Sequence, residues 1–228
     1  MNYRHENKYI ISNKQAFLLM RRLLNILELD CHNNGSYRIK SLYLDDINEK
    51  LLRNSIDGIE YRKKYRIRYY NNDYSLIKLE RKITRKNLKN KKSIQVSKQN
   101  VLEYIEKKSM PICNELVYEV SANWLMPKVI IEYDRIAFVS NIGNVRITFD
   151  SNIIASEEIS KLFDDDLLGM PVLPLNRTIL EIKYDKILPG YISKIINSID
   201  LQRCSYSKYV MSMNILKNNG RLENIYEI

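Results

Sequence analysis

Charged side chains alternate with apolar ones along several stretches of this 228-residue sequence, and most of the charged positions are basic. Because successive side chains of a strand point to opposite faces, each stretch predicts one apolar and one charged face. Arg and Lys bind phosphate oxygens, and carboxylates hold hard divalent cations, so this pattern is typical of a site for a metal-bound polyanion. The charged faces contain Arg4, Glu6 and Lys8; Lys64, Arg66, Arg68 and Tyr70; Lys78, Glu80 and Lys82; Tyr133 and Arg135; Arg146, Thr148 and Asp150; and Glu181 and Lys183.

The elements that must position these residues are predicted to be strands with interspersed helices. Ser12 or Asn13 caps the first helix, Gly58 ends the second, and Asn71-Asn72-Asp73 predicts a hairpin. The periodicity predicts strands over 3–11, 36–45, 60–70, 74–83, 91–96, 128–139, 144–150 and 178–184, and helices over 14–29, 47–57, 98–108, 112–122, 189–199 and 206–217. We find no internal repeat and no linker. These elements favour a single α+β domain over residues 1–228, with an eight-stranded antiparallel β-barrel and helices packed outside it.

Two interpretations of the charged faces follow from this arrangement. If helices cover the apolar faces, the charged faces line a barrel lumen, and such a lumen repels itself unless it holds an anion and a metal. The alternative is an open sheet whose charged faces are solvated and carry surface ion pairs of little energetic value. Repetition of the pattern on several strands favours the first interpretation.

The net charge of +10, from 37 Lys+Arg and 27 Asp+Glu, predicts an anionic partner. Nucleic acid is disfavoured, because no RNA- or DNA-binding motif surrounds the alternating cations. No apolar run is long enough to span a membrane, and the N-terminus lacks an apolar signal region, so we expect a cytoplasmic protein. Cys31, Cys113 and Cys204 lie too far apart in sequence to suggest a zinc site, and we expect them to be buried.

A series of short motifs resembles the VTC (vacuolar transporter chaperone) polyphosphate polymerases, a branch of the triphosphate tunnel metalloenzyme (CYTH-like) superfamily. The motifs are Arg4-x-Glu6-x-Lys8-Tyr9; Ser41-Leu42-Tyr43-Leu44-Asp45; Tyr65-Arg66-Ile67-Arg68-Tyr69-Tyr70; Leu79-Glu80-Arg81-Lys82, followed by Arg85 and Lys92-Ser93; Tyr133-x-Arg135-x-Ala137-Phe138; Arg146-Ile147-Thr148-Phe149-Asp150; Leu180-Glu181-Ile182-Lys183; and Ser207-Lys208-Tyr209. Each motif is weak alone, whereas their order and spacing over nearly the whole chain are specific.

The resemblance implies an eight-stranded antiparallel tunnel that binds a triphosphate and a divalent metal, Mn²⁺ or Mg²⁺. It also implies transfer of the ATP γ-phosphate to a growing polyphosphate chain, with release of ADP. Glu181 would be the leading metal ligand and Glu6 the second. Arg4 replaces the first Glu of the superfamily's Glu-x-Glu-x-Lys signature, which argues against the hydrolase-type branch. The phosphate ligands implied by motif position are Lys8, Arg66, Arg68, Lys82, Lys92, Tyr133, Arg135, Arg146, Lys183 and Lys208. The catalytic set implied is Arg66, Arg68, Lys82, Arg135, Arg146, Glu181 and Lys208.

Two further functions stay open at this point. The chain could hydrolyse tripolyphosphate or nucleoside triphosphates, with water as the acceptor, or it could be a non-catalytic subunit that binds polyphosphate. Delivery of a polyphosphate product across a membrane would need a separate membrane protein, which would hold this chain at the inner face of the membrane.

Overall fold

The structure, a computed structural model, describes residues 4–30, 35–86 and 88–218. The strands in this part of the chain are β1 (Arg4–Ser12), β2 (Glu28–Leu29), β3 (Ser36–Asp45), β4 (Tyr61–Tyr70), β5 (Asp73–Arg85), β6 (Leu88–Val96), β7 (Met126–Ser140), β8 (Val145–Ser156), β9 (Met170–Pro171) and β10 (Arg177–Asp185). The α-helices are α1 (Asn13–Leu23), α2 (Lys50–Ile56), α3 (Lys98–Lys107), α4 (Glu115–Ala122), α5 (Gly190–Ile196) and α6 (Lys208–Lys217). None of the helices in these residues is long and apolar enough to cross a membrane.

The chain divides into two compact units that each combine several segments. The first unit contains Met1–Tyr37, Tyr133–Ile153 and Leu173–Ser207. The second contains Arg38–Glu132, Ile154–Val172 and Lys208–Ile228. The single domain over residues 1–228 stays a prediction.

In the first unit, β10 pairs antiparallel with both β1 and β8. Phe149, Leu180 and Ile182 come from one face of these strands and pack with residues of α1 and α5 in a buried core. Burying a side chain of this size stabilises the fold by roughly 1.5–3 kcal/mol. Ser12 begins α1 as predicted, because its side chain and that of Gln15 form a capping box. The helix-covered face is therefore the apolar one, and the alternate positions carry the charges.

In the second unit, β3, β4, β5 and β6 form successive antiparallel pairs. Ile67 and Leu79 pack with Val101 of α3 and Val117 of α4. The turn between β4 and β5 contains Asn71-Asn72, whose φ angles of 47° and 56° match the left-handed conformation that a tight hairpin needs. This hairpin confirms the prediction made from the local sequence.

The predicted antiparallel α+β fold is confirmed, but the predicted closed barrel is wrong for the described residues. In the first unit β10 is the only strand among these residues that pairs along β1. The other edge of β1 is partly occupied by an irregular segment, through a bridge from Tyr9 to Arg203 and a 2.9 Å bond from the Cys204 amide to the Lys8 carbonyl. In the second unit β5 is likewise the only described partner of β6. The alternating pattern identifies strands but not their neighbours.

Two local expectations also differ from the structure. The helix predicted over 14–29 ends at Leu23, because Glu28–Leu29 instead form β2 and pair with Val139 and Phe138 of β7. Cys113 is exposed and Cys204 is half-buried, so the expected burial is wrong for Cys113, while Cys31 lies outside the described residues.

Candidate functional site

Basic residues form regular rows across β4, β5 and β6 of the second unit. Residues directly opposite on antiparallel strands share a face of the sheet. Lys64, Lys82 and Lys91 form one such row, and Arg66 stands opposite Glu80 in the next. We call this surface the cationic face. Its basic members are Arg62, Lys64, Arg66, Arg68, Lys78, Lys82, Lys89 and Lys91. Glu80 is the single acidic residue in the rows that these described residues form.

Glu80 organises the centre of the cationic face. Its carboxylate is 2% exposed and accepts a 2.6 Å hydrogen bond from Nε of Arg66. Nε of Arg68 lies 3.8 Å from the same oxygen, and Nζ of Lys91 lies 2.5 Å from the other oxygen. Burial raises the pKa of Glu80, but Arg66, Arg68 and Lys91 together outweigh it and hold that pKa well below its ordinary value of 4.5. Glu80 therefore stays ionised and holds three cations in place.

Tyrosine hydroxyls support the two arginines of β4. Nη1 of Arg66 donates a 3.2 Å hydrogen bond to the Tyr43 hydroxyl, and Nη1 of Arg68 donates a 3.3 Å bond to the Tyr70 hydroxyl. Burial raises the pKa of Tyr70, but the adjacent Arg68 outweighs burial and the pKa is lowered. Both guanidinium groups thus have side-chain partners that restrict their rotation, which lowers the entropy cost of binding an anion.

Lys92 does not lie with the other predicted phosphate ligands of this unit. It shares a row with Arg81 and Tyr65, on the face that α4 covers. Its ammonium group contacts Glu115 of α4, and Arg81 contacts Glu119 of the same helix. Lys91, which the sequence reasoning missed, occupies the cationic face in its place.

Lys208 is the first residue of α6, and its neighbour Tyr209 is tied to the strands of the second unit. The Tyr209 hydroxyl donates a 2.8 Å hydrogen bond to Asp45 at the end of β3. The rings of Tyr209 and Tyr43 are stacked, with centroids 5.1 Å apart and planes 3° from parallel. The start of α6 is thereby connected to the strand that carries Tyr43.

The charged face of the first unit combines acids and bases in similar numbers. One row contains Glu6, Lys183 and Arg146, and the next contains Lys8, Glu181 and Thr148. Nζ of Lys8 lies 3.3 Å from Oε1 of Glu6, and Nζ of Lys183 lies 2.6 Å from Oε1 of Glu181. Lys8 also donates a 2.9 Å bond to the Tyr206 carbonyl. This face therefore brings together both predicted metal ligands and three of the predicted phosphate ligands.

Arg135 and Arg146 are each held by a carboxylate that the sequence reasoning did not assign a role. Arg135 donates two hydrogen bonds of 2.6 and 2.7 Å to the fully buried Asp150, and its guanidinium lies 5.3 Å from the centre of the Tyr133 ring. Burial lowers the pKa of Arg135, but Asp150 outweighs burial and raises it above its ordinary value. Nη2 of Arg146 donates a 2.6 Å bond to Asp30 and a 3.0 Å bond to the Tyr37 hydroxyl.

Glu6 and Glu181 have the donor chemistry that a divalent cation needs. The described residues contain no group of three Asp, Glu, His or Cys side chains that could hold a metal ion unaided. Mg²⁺, however, is commonly bound by one or two carboxylates and completed by substrate phosphates and water. Thr148 stands opposite Glu181, and its buried hydroxyl oxygen has no hydrogen-bond partner among the described residues. These residues fit an ion that phosphate oxygens complete.

The chain is similar to known proteins over nearly its full length. A candidate adenylate cyclase from Bacillus halodurans has a TM-score of 0.56 at 13% identity, covering 90% of this chain and 94% of that one. A candidate adenylate cyclase from Vibrio parahaemolyticus has a TM-score of 0.51 at 12% identity, covering 92% of this chain and 98% of that one. Both show a shared fold. No curated protein gives a significant match. The family model of the VTC domain matches residues 3–217, and the chain therefore belongs to the VTC-domain family.

Proposed function

We propose that this chain is a metal-dependent polyphosphate polymerase, which transfers the γ-phosphate of ATP to a growing polyphosphate chain and releases ADP. Membership of the VTC-domain family supports a triphosphate or polyphosphate substrate. The observation that carries the proposal is the row of Lys64, Lys82 and Lys91 beside Arg66 and Arg68.

Like charges on directly opposite strand positions destabilise a sheet. Neighbouring strands lie about 4.8 Å apart, and two unit charges about 4 Å apart repel by about 1 kcal/mol in water and about 4 kcal/mol near a protein surface. A chain of phosphates that lies along the rows replaces this repulsion with attraction at each row. Repeated rows suit a linear polyanion better than a single phosphate group, which supports a tripolyphosphate or longer substrate.

Phosphoryl transfer depends mainly on positioning and on neutralisation of charge, and the residues of both units are suited to these tasks. The planar forks of Arg66 and Arg68 bind pairs of phosphate oxygens, while Lys82 and Lys91 act as point charges. The acceptor is a terminal phosphate of polyphosphate, which is already ionised at neutral pH. The reaction therefore needs no general base, and we assign none.

Within the first unit, we assign the metal ligands and further phosphate ligands to residues of the charged face. Glu181 and Glu6 would hold Mn²⁺ or Mg²⁺, which when bound supplies positive charge next to the phosphates. Lys183 and Lys8 balance these carboxylates in the structure, and the lysines are available to phosphate oxygens when a metal replaces them. Further ligands proposed here are Arg135, Arg146 and Tyr133 of the first unit, and Lys208 at the positive end of the α6 dipole in the second.

The proposal is tested by incubating the protein with ATP and Mn²⁺ and resolving the products by phosphorus NMR and on a polyphosphate-stained gel. Long chains with a matching amount of ADP are expected. Free phosphate without chains would instead indicate a hydrolase, and tight binding of tripolyphosphate without turnover would indicate a binding subunit. Glu181→Gln should abolish turnover with the fold intact. Glu158→Gln is a matched control, because Glu158 is half-exposed and pairs only locally with Lys161.

A further inference from the structure

The carboxylate of Asp45 connects two helices of the second unit. It is fully buried, and it accepts hydrogen bonds from the amides of Asp46, Leu51 and Leu52 at 2.8, 2.9 and 2.8 Å. The bonds from Leu51 and Leu52 satisfy two amides in the first turn of α2, whose N-cap residue Glu49 makes no side-chain capping bond. The remaining bond, 2.8 Å long, comes from the hydroxyl of Tyr209 in α6. Asp45 therefore anchors the first turn of α6 to the start of α2.

Tyr209 also contacts a residue that supports the cationic face. Its ring is stacked on Tyr43, and the Tyr43 hydroxyl accepts the hydrogen bond from Arg66. Arg66 in turn binds Glu80 at the centre of the face. An unbroken series of contacts thus runs from Asp45 through Tyr209 and Tyr43 to Arg66, and Lys208 is the residue immediately before Tyr209.

We propose that Tyr209 is a positioning residue for phosphate binding, which fixes Lys208 through the bond to Asp45 and supports Arg66 through the stacked ring of Tyr43. This inference rests on the proposed function, in which Lys208 and Arg66 bind phosphate. Tyr209 itself contacts no substrate in this account. Its contribution is to reduce the freedom of two cations before the anion arrives.

The hydroxyl of Tyr209 is suited to a permanent donor role. Burial raises its pKa, and the neighbouring Asp45 raises it further, so the hydroxyl stays protonated throughout the ordinary pH range. Tyr104 offers a structural comparison within the same unit. It is as deeply buried as Tyr209, and its hydroxyl donates a 2.5 Å bond to the Leu125 carbonyl in the helix-covered core. If the role of Tyr209 were purely structural, replacing either tyrosine by Phe would lower stability and leave phosphate affinity unchanged.

The test is a calorimetric titration of sodium tripolyphosphate into the wild type, Tyr209→Phe, Lys208→Ala and the double variant. Tyr209→Phe keeps the ring and removes only the bond to Asp45. A hydrogen bond contributes a net 0.5–1.5 kcal/mol, so we expect about fivefold weaker binding. In the Lys208→Ala background the same change should cost less than about twofold, because the residue it positions is gone. Tyr104→Phe should lower the melting temperature similarly and leave the affinity unchanged.

Tyr43→Phe tests the branch through Arg66 separately, since it keeps the ring that stacks on Tyr209 and removes the hydroxyl that accepts the bond from Nη1 of Arg66. It should weaken tripolyphosphate binding about two- to threefold, and wild-type affinity in this variant would overturn the Arg66 branch even if Tyr209→Phe does not fold. Wild-type affinity in Tyr209→Phe, or equal losses with and without Lys208, would overturn the inference. A wild type that binds no tripolyphosphate would overturn the proposed function and the inference with it.

Discussion

Lys91 and Lys92 are adjacent on β6, yet their replacement should affect triphosphate binding very differently. Lys91 lies on the cationic face, opposite Lys82 and 2.5 Å from Glu80. Lys92 lies on the other face, where it contacts Glu115 of α4. Lys91→Ala and Lys92→Ala remove the same charge from neighbouring positions and therefore control for each other.

The size of the difference follows from the surroundings of each ammonium group. A hydrogen bond to a charged group contributes about 1.5–3 kcal/mol, and the 51% exposure of the Lys91 side chain favours the lower end because water screens the charge. Loss of about 1.4 kcal/mol corresponds to about tenfold weaker binding. Lys92 does not face the anion, and its charge is screened over about 8 Å at physiological salt, so its loss should cost less than about twofold.

The assay is calorimetric titration of tripolyphosphate at fixed ionic strength, with circular dichroism to confirm that both variants are folded. Lys91→Ala should bind about tenfold more weakly than the wild type and at least about fivefold more weakly than Lys92→Ala. Equal losses, or a larger loss for Lys92→Ala, would refute the assignment of faces on β6 and with it the proposed position of the phosphate chain.

Three further results are expected. Glu80→Gln should destabilise the fold by about 2 kcal/mol at pH 7. Because the folded-state pKa of Glu80 is depressed, the stability difference between wild type and variant should persist above pH 4.5 and shrink as the pH falls below it. A stability difference that grows on acidification would contradict this role of Glu80. Asp150→Asn should lower turnover by about 10²-fold, because it removes the paired bonds that orient Arg135. The control is Asp134→Asn, since Asp134 accepts a 2.8 Å bond from the exposed Asn152 side chain, and this variant should keep a near-wild-type turnover and melting temperature. Mn²⁺ alone should bind weakly, because Glu6 and Glu181 are each paired with a lysine. Electron paramagnetic resonance should show at least about tenfold tighter Mn²⁺ binding when tripolyphosphate is present. Equal affinity in both conditions would count against an ion whose coordination is completed by phosphate.

Features that depend on neighbouring residues were predictable from the sequence. Ser12 caps α1 because its partner Gln15 lies three residues away, and Asn71-Asn72 forms a hairpin because both residues tolerate a positive φ. The alternation of Arg66 and Arg68 with apolar residues also predicts their common face. Each of these features is decided within a few residues of the chain.

Features that depend on register or on distant partners were not predictable. β6 pairs with β5 in a register that places Lys91 opposite Lys82, and a shift of one residue would exchange Lys91 and Lys92 between faces. Asp45 lies within a recognised motif, but its partner Tyr209 is 164 residues away, so no local pattern reveals the bond. The end of α1 at Leu23 likewise depends on the pairing of β2 with β7.

A labelling experiment distinguishes transfer of the γ-phosphate of ATP to polyphosphate from its release into water. The protein is incubated with Mn²⁺, preformed polyphosphate and ATP labelled at the γ-phosphate, and the products are separated by chain length. If the chain is a polyphosphate polymerase, label should enter chains that lengthen with time, in an amount equal to the ADP released. Label found entirely in free phosphate, or remaining in ATP, would contradict polymerase activity.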